Sequence, residues 1–297
     1  MRKVLFLVAQ LLIAQNITFS QGSLTKFGPL YFNPTNARGY LEPLNNSLNF
    51  QLASNWFAHH EGDSTFHLYF GVQVTRSFIP SSMEMYMGQT ELPFTSPQQS
   101  VNVPTIFGPN QSVEVEDAVG YVYSFPGGFE YKNTTFGIPQ IQIGGIFNTD
   151  IAFRFAVLQV DNEKSEYGKF NTFGLGIQHS LHQYLNLNKI DLRIGYAYQS
   201  IKIGDWYKSN LSVVQIQAGQ KINFLNYYGF LGYSGLNSEY KYEDETIQEE
   251  KRIVHVSATN RFIFGIGAGL RFSIVKFHTE AILLKPVTLS FGFGIEI

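Results

Sequence analysis

The run Phe262-Ile263-Phe264-Gly265-Ile266-Gly267-Ala268-Gly269-Leu270-Arg271-Phe272 decides the fold of this chain. On an extended backbone Phe262, Phe264, Ile266, Ala268, Leu270 and Phe272 fall on one side, away from Gly265, Gly267, Gly269 and Arg271. A period of two is the mark of a β-strand with unlike faces. The run is also long. Soluble strands average about five or six residues, whereas a tilted strand crossing a bilayer needs about 9 to 11.

The pattern recurs along the chain. Phe66, Leu68, Phe70, Val72 and Val74 alternate with His67, Tyr69, Gly71, Gln73 and Thr75, and Ile190, Leu192, Ile194, Tyr196 and Tyr198 alternate with Asp191, Arg193, Gly195, Ala197 and Gln199. At the end, Leu289, Phe291, Phe293, Ile295 and Ile297 oppose Ser290, Gly292, Gly294 and Glu296. Strands are predicted over residues 47–57, 65–78, 139–147, 150–159, 169–181, 189–202, 209–221, 225–238, 252–272 and 273–297. The last two stretches hold three or four strands between them, giving about ten to twelve. Turn signals at Glu61-Gly62-Asp63, Asn148-Thr149-Asp150, Asn186-Leu187-Asn188 and Pro286 imply short links and a meander. Helical spacing is confined to the N-terminus and to Ala37–Leu44. Residues 79–138 hold Pro80, Pro93, Pro97, Pro104, Pro109 and Pro126, more than half of the 11 prolines. They predict a folded external loop or lumen insert with an extra hairpin through Ser112 to Tyr123.

Composition narrows the class. Of 297 residues 44% are hydrophobic, 15% aromatic and 15% charged, against about 25% charged in soluble proteins. Lys plus Arg (21) nearly balances Asp plus Glu (23), so no strong overall charge draws the chain to nucleic acid. With no cysteine there is no disulfide framework and no thiolate metal site. Residues 1–20 predict a cleaved export signal: basic Arg2 and Lys3, an apolar stretch from Val4 to Ala14, and small Thr18 and Ser20 before a cut near Gln21. That stretch falls short of the roughly 20 residues of a spanning helix.

An exported chain of this pattern is either a soluble sandwich or a membrane barrel. Charged residues placed mid-strand opposite a greasy, aromatic-rich face favour a barrel with a wet or ion-paired lumen. The candidate lumen-lining residues are Arg154, Asp191, Arg193, Arg271, Lys276, His278 and Glu280. They either pair with one another and stiffen a narrow barrel, or line a permeation path and bind a polar group of a ligand. Three segments, Phe173-Gly174-Leu175-Gly176-Ile177, Phe264-Gly265-Ile266-Gly267-Ala268 and Phe291-Gly292-Phe293-Gly294-Ile295, repeat an aromatic-Gly-apolar-Gly rhythm. Inward glycines relieve crowding in a closed barrel.

Other constellations read as structural. His59-His60-Glu61-Gly62-Asp63 offers metal-type ligands, but adjacent strand histidines point oppositely and the patch sits at a hairpin tip. His179 and His182 are expected at the membrane interface or against the lumen. Glu243, Asp244, Glu245, Glu249 and Glu250 read as a solvated loop, without the glycine of a calcium loop. No Gly-x-Ser-x-Gly elbow supports hydrolysis. The chain is therefore expected to be no enzyme and to use no metal and no cofactor.

The run Ala37-Arg38-Gly39-Tyr40-Leu41-Glu42-Pro43-Leu44 with Asn55-Trp56-Phe57, then Phe78-Ile79-Pro80, Thr105-Ile106-Phe107-Gly108, Pro139-Gln140-Ile141-Gln142-Ile143-Gly144 and Phe173-Gly174-Leu175-Gly176-Ile177-Gln178-His179-Ser180, resembles an uncharacterised family of outer-membrane β-barrel proteins from Bacteroidota. The resemblance covers most of the chain after residue 20. It implies a barrel distantly similar to the fatty-acid-transporter type, and brings no catalytic residues and no settled substrate. The family is barrel-forming, and many such barrels end in an aromatic residue, where this chain has Ile297 with Phe291 and Phe293 on the same face.

The combined expectation is an all-β, antiparallel up-and-down transmembrane β-barrel of about 10–14 strands with a long loop or lumen insert. Residues 21–45 form an N-terminal segment positioned to plug the lumen, as in channels for hydrophobic substrates, and 46–297 the barrel. The expected function is an outer-membrane pore or transporter for small molecules, hydrophobic ones included. Expected partners are outer-membrane lipid, the barrel-assembly machinery and a small hydrophobic or polar ligand. The alternatives are a closed-lumen structural or interaction barrel and a soluble exported β-sandwich that binds a ligand.

Overall fold

The computed structural model describes residues 34–57, 66–90, 98–116, 120, 122–159, 169–185, 190–222, 224–243 and 251–297. The predicted signal, the His59–Asp63 patch, the Asn186–Asn188 turn and the acidic residues 244–250 lie outside them. A helix, α1 (Pro34–Ala53), precedes the strands. These are β1 (His67–Phe78), β2 (Met85–Gln89), β3 (Ser100–Pro104), β4 (Val113–Glu116), β5 (Val122–Phe125), β6 (Asn133–Ile146), β7 (Thr149–Gln159), β8 (Lys169–Ser180), β9 (Asp191–Ile203), β10 (Tyr207–Ile222), β11 (Leu225–Glu243), β12 (Lys251–Ser257), β13 (Phe262–Phe272), β14 (Val275–Ile282) and β15 (Val287–Glu296).

One antiparallel sheet closes on itself. Its order is β10-β9-β8-β7-β6-β1-β15-β14-β13-β11, and β10 pairs with β11 to complete a ring of ten strands. Consecutive strands are neighbours throughout, except that the insert separates β1 from β6, and β12 pairs only with the outer half of β11. The chain is a closed antiparallel ten-stranded barrel, and a two-sheet sandwich is overturned. One end carries short turns at 147–148 and 273–274; the other carries the insert and β12.

Burial shows which face meets what. Along β15 exposed Leu289, Phe291, Phe293 and Ile295 alternate with buried Ser290 and Glu296, and β9 buries Asp191, Arg193 and Gln199 while exposing Ile194, Tyr196 and Tyr198. Apolar side chains face outward and charged ones inward, the reverse of a soluble fold. On β13 the outward run begins at Phe262 and ends at Phe272, both more than half exposed. Ten residue steps at ~3.3 Å and a tilt of about 40° span ~25 Å, the height of a bilayer-facing band.

Two expectations are corrected. Residues 47–53, predicted as strand, belong to α1, so the barrel starts at His67 rather than at residue 46. Leu48, Phe50 and Leu52 alternate as in a strand, but the intervening Ser47, Asn49 and Gln51 are buried as well, because α1 is surrounded on all sides by wall. The 252–272 stretch holds β12 and β13 and the 273–297 stretch β14 and β15, the four strands expected there at most. The insert ends before Asn133, not at 138, and holds two hairpins, β2–β3 and β4–β5, where one was expected. Val103, Tyr123 and Phe125 form its own small core.

Candidate functional site in the lumen

The lumen is filled by α1 and the bend that follows it. Its first turns meet the insert: Asn36 Nδ2 donates to Gln89 O (2.8 Å), Gln89 N donates back to Asn36 Oδ1 (2.9 Å), and Tyr40 Oη donates to Gly127 O (2.9 Å). Gly39 lies so close to Tyr86 that a Cβ would stand 2.3 Å from the ring. Pro43 lies inside the helix. The middle of α1 meets the wall through polar side chains. Asn45 Nδ2 donates to Val256 O (2.8 Å), Asn49 Nδ2 to Ser234 Oγ (2.9 Å) and Asn260 O (2.7 Å), Gln51 Nε2 to Thr134 O (2.7 Å), and Ser47 Oγ lies 2.6 Å from Thr134 Oγ1.

The end of α1 is held by charge. A helix leaves its last carbonyls without intrahelical donors. Arg154 on β7 supplies them: Nη1 donates to Leu52 O (3.1 Å) and Nη2 to Ser54 O (2.9 Å), while Nε donates to Gln140 Oε1 (2.8 Å). The guanidinium carbon stands 3.9 Å from the centre of the Trp56 ring, a cation–π stack. A cation at a helix C-terminus also opposes the macrodipole. Asn55 turns the chain with φ +60°, and its N–H donates to Glu280 Oε2 on β14 (2.6 Å). Tyr228 Oη donates to Glu280 Oε1 (2.7 Å), and His278 Nε2 lies 2.9 Å from Gln73 Oε1. Trp56 and Phe57 then occupy a notch of glycines. A Cβ on Gly174 would stand 2.6 Å from Trp56, one on Gly176 2.8 Å from Phe57, and one on Gly195 3.1 Å from Phe57.

The family model for a family of unknown function (DUF6588) matches residues 1–297. The chain belongs to this family. No curated protein matches it. Among solved structures it is similar to the outer membrane protease OmpT from Escherichia coli, at 9% identity and a TM-score of 0.33, over 78% of this chain and 95% of that one. It is also similar to Ail, the attachment invasion locus protein of Yersinia pestis, at 11% identity and a TM-score of 0.26, over 78% and 99%. A third is a deletion mutant of TodX, a monoaromatic hydrocarbon channel, at 8% identity and a TM-score of 0.23, over 86% and 92%. The barrel of this family member rests on its own strand pairing.

The seven candidate residues fall into three groups. Arg154, Glu280 and His278 surround the end of α1. Asp191 and Arg193 sit near the short turns with Asp150: Arg193 Nη1 donates to Asp150 Oδ2 (2.9 Å), its Nε donates to Asp191, and Ser180 Oγ donates to Asp191 Oδ1 (2.6 Å). Lys276 and Arg271 share Glu296 at 2.7 and 2.8 Å, with the Arg271 side chain 46% exposed at the rim. The partners that a search for charge passes over are neutral: Gln73, Gln140, Asn55, Trp56 and Tyr228. The inward parity of Gln73 and Gln140 on their strands was a usable signal for two of them. His179 bonds Thr149 Oγ1 (2.8 Å) at the turn end. Among the described residues no group of three or more His, Asp or Glu could hold a metal.

Proposed function

We propose that this protein is exported through a cleaved signal, inserts in the outer membrane with the help of the barrel-assembly machinery, and serves as a plugged channel for small molecules. It acts by passage, not by catalysis. The carrying observation is the chemistry of the α1–wall interface. Asn45, Asn46, Ser47, Asn49 and Gln51 are all buried, and their bonds run to the wall. Each such bond contributes only about 0.5–1.5 kcal/mol net, because water replaces it when the groups separate. Releasing the helix exchanges these bonds for water at little net cost, and the apolar cluster that Phe50, Leu52, Trp56 and Phe57 share with Leu211, Val213 and Leu236 of the wall opposes it at about 25 cal/mol per Å². The outward apolar band supports lipid as the surrounding medium, and the resemblance to Bacteroidota outer-membrane barrels agrees with an outer membrane of that kind.

The second reading, a closed structural or interaction barrel, draws on the insert, which fastens the first turns of α1 through Asn36, Gly39 and Tyr40. Two measurements decide. Native envelopes are fractionated, and the detergent-extracted protein is run on gels with and without boiling. Partition with the outer membrane and a heat-dependent shift are expected; a soluble periplasmic protein without a shift overturns the reading. The whole protein and a variant lacking residues 34–57 are then compared in planar bilayers. Conductance is expected to rise on deletion, and unchanged conductance favours the closed barrel.

A further inference from the structure

The grip on the end of α1 is selective in a way that a mere stopper does not need. Ser54 O and Asn55 N belong to one peptide group, and a trans peptide points its oxygen and its hydrogen to opposite edges. Arg154 takes the oxygen and Glu280 takes the hydrogen. The two charges come from well-separated parts of the ring, with three strands between β7 and β14 one way and five the other. Both are deeply buried. Each also has an anchor in the wall that does not depend on α1, Gln140 for Arg154 and Tyr228 for Glu280.

We infer that Arg154 and Glu280 form a recognition site for a zwitterionic solute of the amino-acid or short-peptide class, for which the chain's own Ser54–Asn55 peptide group stands in while α1 is seated. This rests on the plugged-channel reading. When α1 leaves, Arg154 Nη1 and Nη2 lose the carbonyls of Leu52 and Ser54 together, and two donors side by side match a carboxylate bidentately. Glu280 Oε2 loses the Asn55 N–H and becomes available to an ammonium. A simple anion meets Arg154 alone and a simple cation Glu280 alone, whereas a ligand carrying both signs replaces the contacts of the Ser54–Asn55 peptide group at both walls with charge-assisted ones. Such a ligand binds in place of the plug and is therefore expected to promote its release.

The chain has no cysteine, and Ser54 Oγ lies 2.7 Å from Ser290 Oγ, so a Ser54→Cys, Ser290→Cys pair reports directly on whether α1 is seated. Disulfide formation in this otherwise intact protein is followed on non-reducing gels with glycylglycine at about 10 mM, above the millimolar affinity of a few charge-assisted contacts. Acetate, ethylammonium and glycerol serve as single-charge and uncharged controls. Glycylglycine is expected to slow cross-linking several-fold and the controls to leave it unchanged; equal rates in all solutions overturn the assignment. In a second measurement, a Gly176→Leu variant, in which the notch rejects Phe57, is placed in planar bilayers. Glycylglycine is expected to block its current, with the block weakened about tenfold by adding Arg154→Met or Glu280→Gln, the loss of one charge-assisted contact. A conducting Gly176→Leu channel indifferent to glycylglycine overturns this inference and leaves the channel reading standing. A silent Gly176→Leu channel whose cysteine-pair counterpart still responds to glycylglycine supports the recognition site and overturns the channel.

Discussion

At the scale of single residues, inward glycines do two different jobs. Gly265 and Gly267 make room for the rings of Phe230 and Tyr228 from the neighbouring strand, and Gly292 for His278. Gly174, Gly176 and Gly195 instead make room for Trp56 and Phe57, which arrive from outside the sheet. A Gly176→Leu side chain has nowhere to go except into the volume of Phe57 and Trp56, 2.8 and 2.9 Å from its Cβ. It is expected to raise bilayer conductance while the heat-dependent gel shift persists, because the strand backbone is untouched. Gly235→Ala meets nothing within 4 Å and is expected to change stability by less than ~0.5 kcal/mol in urea titrations. The glycine rhythm and the inward parity of Arg154, Asp191, Arg193, Lys276, His278 and Glu280 were legible in the sequence, since period two follows from strand geometry alone. Which charge meets which was not. Those pairings depend on strand order and register, and Arg154 spends its donors on Gln140 and backbone carbonyls, not on an acid.

At the scale of elements, α1 is the part that sequence patterns conceal. A surface helix shows an apolar stripe facing the core. A helix inside a barrel whose wall is partly polar and partly apolar has no solvent side and no single core side, so Asn36, Asn45, Asn49 and Gln51 are as buried as Phe50 and Leu52. Its apolar residues at 48, 50 and 52 then mimic a strand. The insert shows the opposite behaviour: its prolines announced irregular backbone, and its two hairpins are short. Tethering α1 to β6 tests whether the helix moves. Ser47 Oγ and Thr134 Oγ1 are 2.6 Å apart, so a Ser47→Cys, Thr134→Cys pair is expected to form a disulfide that abolishes channel openings. Reductant is expected to restore them. Equal opening frequency in the oxidised and reduced forms would show that α1 is not the gate.

At the scale of the whole molecule, the outward surface defines the solvent the barrel requires. Ile266 lies midway between Phe262 and Phe272 on β13 and is 55% exposed. Ile266→Arg is expected to destabilise the protein in lipid vesicles by about 2–4 kcal/mol, and Phe272→Arg at the edge of the band by about 0–1 kcal/mol. Urea unfolding monitored by tryptophan fluorescence and gel shift checks the difference. Equal costs at the two positions would move the bilayer off this band.

The direction of α1 has a consequence for assembly. Its first residues lie against the insert at the long-loop end, where Thr35 is exposed, yet the strand it leads into, β1, begins at the short-turn end. Residues 34–57 therefore run from the long-loop end into the ring before β1 becomes part of it at the short-turn end. The ring is sealed where β1 meets β15, the first strand of the barrel against the last. Closure at that seam captures the helix as thread within a needle's eye, so a barrel that seals before the helix has entered has trapped its own leading segment on the wrong side. The starting occupancy of the lumen is thus set during insertion, by the order of events at one seam.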